Sequence, residues 1–113
     1  MATSAIQQFH NRLNAGLLDD VYRDADESFR RSGPREGLIA AMQAVRIRFG
    51  NFRQQTAYRL NVVVGVPIQI RAVCGATFDK GNATELFLFL RQGDRVLLSR
   101  YEIYPGKVNL DSL

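Results

Sequence analysis

The chain has one cysteine, one histidine and two lysines, so several kinds of site have little to be built from. Cys74 alone can form neither an internal disulfide nor a cysteine-rich zinc centre. No His or Lys flanks it in sequence to lower its pKa, and it reads as a small buried hydrophobe. A metal site on His10 would need carboxylates from elsewhere, and no spacing motif supplies them, so neither metal nor cofactor is expected. Long apolar runs are missing too: none approaches the roughly 18 residues of a membrane span, so no transmembrane segment is expected. The opening "MATSAIQQFHNRLNAG" lacks the basic and apolar regions of a secretory signal. There are no internal repeats and no low-complexity stretch.

What is there is ordinary globular composition. Hydrophobic residues make up 46% and charged residues 23% of 113 positions. That is enough for one cored domain spanning 1–113 without covalent staples. The net charge is +4, and thirteen of the fifteen cations are arginine. Nucleic-acid binding needs cations gathered on one face or interleaved with aromatics. The densest spots are only Arg30-Arg31 and Arg46 with Arg48, so the arginines read as a solvated face and no nucleic-acid partner is expected.

Periodicity predicts helices first and strands after. Residues 4–15 place Ile6, Phe9, His10 and Leu13 on one stripe, with Gly16 to end the helix. "LLDDVYRDADESF" predicts a second helix, with Asp19 and Asp20 near its positive end. Ser32 is the expected N-cap of a third, with Pro34 in its first turn, Leu38, Met42, Val45 and Phe49 as its stripe and Gly50 as its stop. The period then changes to two. Strands are predicted at 56–64, 68–78, 84–91 and 96–104, with turns at "GVP", "DKGNA" and "RQGDR". The fold class is therefore α+β: N-terminal helices packed on a curved four-stranded antiparallel sheet, a cone-shaped α+β roll.

A two-residue turn at Gly93-Asp94 pairs Leu90 with Leu97, Leu88 with Ser99, Leu86 with Tyr101 and Thr84 with Ile103 on the face that receives the helices. A three-residue loop Lys80-Gly81-Asn82 adds Ala72, Cys74, Ala76 and Phe78 to that side. The opposite face then carries Val73, Phe87, Phe89, Leu98 and Arg100, with Arg71, Glu85, Arg91 and Glu102 around them. Exposed Phe side chains inside a charged rim look like an interface, so these five residues predict a homodimer through the outer sheet face.

The stretches "FHNRLNAGLLDDVYRDADESFR", "AMQAVRIRFGNFR" and "ATFDKGNATELFLFLRQGDRVLLSRYEIYP" together resemble the nuclear transport factor 2-like superfamily, with its cystatin-like roll, over nearly the whole chain. The likeness is greatest to its small bacterial domains of unknown function. It implies a cone of helices and sheet with an apolar pocket at the open end, dimerisation through the outer face, and, in that small group, export or lipid anchoring. No catalytic signature accompanies it.

Tyr22, Tyr58 and Tyr101 lie on apolar faces where their hydroxyls need partners. With Phe49, and with His10 at the mouth of the cone, they are the expected lining of a pocket for a small apolar ligand. The expected function is non-catalytic, as a ligand-binding or protein-interaction module. The alternative is a small-molecule isomerase or hydrolase of the ketosteroid-isomerase type, using His10 or a helix acid with Tyr58 or Tyr101.

Overall fold

The computed structural model describes residues 1–107. Four helices, α1 (Ala2–Ala15), α2 (Leu18–Asp24), α3 (Glu27–Arg30) and α4 (Arg35–Phe49), precede four strands, β1 (Phe52–Val63), β2 (Gln69–Phe78), β3 (Gly81–Gln92) and β4 (Arg95–Pro105). The strands form one curved antiparallel sheet in the order β1-β2-β3-β4, the α+β arrangement the pattern predicts. No helix among the described residues is long and apolar enough to cross a membrane.

The helix stops are where the glycines put them. Gly16 is left-handed at φ 75° and its amide bonds back to Leu13. Gly50, at φ 77°, ends α4, and a Cβ there would lie 2.6 Å from Asp79 Cβ, so only glycine fits this corner. The expected second helix, 17–29, is instead two. Asp26 stands in extended conformation, accepts from the Ser28 amide at 2.9 Å, and so caps a new helix in mid-run. Its own amide bonds to the Leu98 carbonyl at 2.8 Å, which ties the break to β4. Ser32 does not cap α4. Its hydroxyl reaches back to the Phe29 carbonyl at 2.6 Å, and Pro34 takes the cap position with no side-chain bond.

The larger correction is in the sheet. The β2–β3 turn is two residues, Asp79 and Lys80, so Phe78 pairs with Gly81 rather than with Thr84. The Asp79 and Lys80 amides bond to the Asn51 and Phe49 carbonyls at the α4–β1 corner, and Gly81 takes φ 137°. The turn is thus anchored outside the hairpin. A shift by an odd number of residues exchanges the two faces of a strand. Ala83, Glu85, Phe87 and Phe89 therefore face the helices and are buried, while Leu86, Leu88 and Leu90 lie half-buried on the outer face. At the other turn Gln92 pairs with Arg95, Leu90 with Leu97 and Phe89 with Leu98 as predicted. An irregularity beyond Leu98 then shifts the register, and Phe87 pairs with Tyr101. This bulge at Ser99 keeps Tyr101 and Ile103 on the core side with Leu98.

Phe87, Phe89 and Leu98, expected at a dimer interface, are accordingly 2%, 2% and 8% exposed in the core. Val73 and Arg100 remain on the outer face, opposite Leu86 and Leu88 respectively.

Candidate functional site

The helix stripe, the register and the bulge meet at one carboxylate. Glu85, on β3, is completely buried. His10 Nε2 lies 2.7 Å from its Oε1, and the Tyr101 hydroxyl donates to its Oε2 at 2.6 Å. His10 comes from the apolar stripe of α1 and is 3% exposed. Its ring stacks on Phe52 with centroids 3.6 Å apart and meets the edges of Phe9 and Phe87. A carboxylate with both oxygens bonded is the form in which a buried acid is tolerated.

The charge of Glu85 is felt by its neighbours. Burial and then the nearby carboxylate push the Cys74 thiol, its cross-strand partner, up to about 12. Burial, followed by the charge and hydrogen bond of Glu85, holds the Tyr101 phenol well above its ordinary value. Cys74 is therefore an inert thiol and Tyr101 a fixed donor. Tyr58 pairs with Cys74 across β1 and β2, and its buried hydroxyl has no hydrogen-bond partner among the described residues.

Of the five side chains expected to line a pocket, two are brought together, His10 and Tyr101, and Tyr58 lies two strands from Glu85, beyond Cys74 on β2. Tyr22 and Phe49 do not join them. Tyr22, on α2, lies under the Arg35 guanidinium, and Phe49 packs on Phe78. Glu85 was missed because its parity placed it outside. The one signal for it in the sequence was a histidine on an apolar stripe that had to find a partner.

The open space lies elsewhere. A groove of about 530 Å³ runs between α1, α2 and the β3–β4 hairpin, floored by Phe9, Val21, Phe89, Val96 and Leu98. None of the five expected residues lines it, and neither does Glu85. Phe9 is the partition: it floors the groove and contacts Tyr101 and Phe87 at 4.5 and 5.3 Å between centroids. Arg12, Asp24, Asp94 and Arg95 stand at its rim. Asp24 accepts from Arg12 at 2.7 Å and from Arg23 at 3.1 Å. The Arg23 bond, helped by Arg12, holds its carboxyl below the usual range. Arg95 is exposed.

No three His, Cys, Asp or Glu side chains among the described residues converge as a metal-holding group. Comparison with family models, curated proteins and solved structures finds no match.

Proposed function

We propose that the protein is a non-catalytic module that binds a small amphipathic ligand in the groove between α1, α2 and the β3–β4 hairpin. One observation carries this reading: the groove and the acid–base cluster do not meet. The polar triad is closed, with both Glu85 oxygens taken and the Phe9 ring between it and the groove. The groove's own Asp24 is bound by two arginines and held ionised, whereas a general base works with a pKa near the operating pH. Its apolar floor under a polar, charged rim suits a ligand with one apolar and one polar end.

A homodimer through the outer sheet face belongs to the same reading, with its centre moved to Leu86, Leu88, Leu90 and Val73 inside a rim of Arg71, Arg100 and Glu102. So does the likeness to the nuclear transport factor 2-like superfamily, supported by helices followed by a four-stranded antiparallel meander. An isomerase or hydrolase is the other reading. The bonded Glu85–His10–Tyr101 set favours it, but that carboxylate is fully buried and the Phe9 ring separates it from the groove.

Native mass spectrometry of gently purified protein tests the binding. The expected result is a small-molecule adduct that disappears in Gln8→Trp, since Gln8 is an exposed groove residue whose replacement fills the space without touching the core. An adduct unchanged in Gln8→Trp, or none in the wild type even after incubation with medium-chain fatty acids, would sink the reading.

A further inference from the structure

Two connections close the same end of the sheet. Gln69, which begins β2, lies opposite Leu90, and Leu90 lies opposite Leu97, so the β1–β2 loop and the β3–β4 turn are neighbours. The Arg91 amide bonds to the Ile68 carbonyl at 3.0 Å and ties the loop to β3. The β3–β4 turn is polar, with Gln92, Gly93, Asp94 and Arg95, as turns in water usually are. The β1–β2 connection is the reverse: residues 62–67 read "VVVGVP", with no polar side chain.

These valines are at the surface. Val62 is 52% exposed, Val64 86% and Val66 104%. They form a loop tip rather than the wall of a cleft, and none of them lines the groove. A run of exposed aliphatic side chains marks a place that enters something apolar.

The charge around the tip has one dominant sign. Residues 37–78 contain five arginines and neither Asp nor Glu. Arg71 and Arg91, both exposed, flank the loop on β2 and β3. Arg71 donates to the Gln69 side chain at 3.3 Å and Arg91 to the Gly93 carbonyl at 2.8 Å, and neither is paired with a carboxylate among the described residues. Asp94, in the neighbouring turn, is the acid closest to them in sequence.

We propose that the β1–β2 loop is a membrane-surface anchor: its valines enter the boundary between headgroups and acyl chains of an anionic bilayer, and Arg71 and Arg91 meet the headgroups. Two observations select a lipid surface over a protein. An interface between proteins takes about 20–30 residues a side, and its anchors are aromatic or arginine side chains with valine scarce. The tip offers six residues and no aromatic. A bilayer asks only for a few aliphatic side chains and for cations at the headgroup level, which attract anionic lipid. The proposal does not rest on the ligand reading, and it uses neither the groove nor the outer sheet face.

The chain has no tryptophan, so one placed at the tip reports alone. Vesicles of equimolar phosphatidylglycerol and phosphatidylcholine are expected to shift the emission of Val64→Trp to the blue. They should leave unchanged that of Gln55→Trp, an exposed position roughly 25 Å away along β1. Sedimentation of otherwise wild-type protein with these vesicles should fall at least about tenfold in Val64→Asp/Val66→Asp, and by a similar factor in Arg71→Glu/Arg91→Glu. Both valines stand outside the core, so the aspartates leave the fold intact. No blue shift at Val64→Trp, an equal shift at Gln55→Trp, or sedimentation that survives either pair of substitutions would overturn the proposal. A blue shift that grows with protein concentration in the absence of vesicles would do so as well, because it would put another copy of the chain on the loop.

Discussion

Two places on one face of one sheet reverse the usual rule. At β3, Glu85 has no exposure at all, while at β1, Leu60 and Val62 are about half in solvent. Charged residues are almost never fully buried unless paired, and aliphatic ones usually are buried. The difference shows that burial here follows the placement of α1 over the sheet rather than residue type. Where α1 lies, it brings His10, and with the Tyr101 hydroxyl it pairs the carboxylate. At Leu60 and Val62, on β1, apolar side chains stay partly in solvent among the described residues.

The contrast breaks most easily at Glu85. Glu85→Ala leaves the His10 ring and the Tyr101 hydroxyl without their acceptor, and should cost about 3–5 kcal/mol in urea unfolding. A loss under about 1 kcal/mol would mean that water replaces the carboxylate and that the cluster is less closed than its burial shows. Phe87 sharpens the same point, since on an exposed face its truncation would hardly register.

Asp26 offers a smaller test where α3 meets β4. Burial alone would raise its carboxyl, but bonds from the Ser28 hydroxyl and amide and from Gln92, with Arg30 near, outweigh it and hold it below the ordinary value. A depressed native pKa adds stability above the unfolded value of about 3.9, and that stability is lost as pH falls through the native value. The wild type should exceed Asp26→Asn by about 1 kcal/mol at neutral pH, and the two should converge near pH 2. Parallel curves across that range would remove Asp26 from the pairing of α3 with β4.

The smallest effect is expected at Leu60, on β1. In dilute solution Leu60→Ser should change stability by no more than about 0.5 kcal/mol, as surface positions do. A cost above about 2 kcal/mol at every protein concentration would mean that Leu60 is already part of the core.

Much of the local structure was legible in the residues. Gly16 and Gly50 end their helices, Met42 and Phe49 are buried on the predicted stripe, and Gly93-Asp94 turns as its composition requires. What the residues left open was parity. In "ATELFLFLR" both alternating sets, Leu86, Leu88 and Leu90 against Phe87 and Phe89, are apolar, so hydropathy could not choose which faces the helices. Glu85, in the same set as the two phenylalanines, argued for the wrong side, because an acid is cheapest outside unless partners 16 and 75 residues away are supplied.

The sequence by itself determined that helices precede strands, the glycine stops at Gly16 and Gly50 and the alternation, since these depend on neighbours within a few residues; the helix break at Asp26 is tied to β4. Only the tertiary structure decided the faces. The Asp79 and Lys80 amides find their acceptors at the α4–β1 corner, so the β2–β3 turn closes one way and not another. The register follows, and with it a carboxylate enters the core, three expected interface residues leave the surface and the groove forms on the far side of Phe9. A two-residue period is indifferent to which face is inside; contacts far apart in sequence are what settle it.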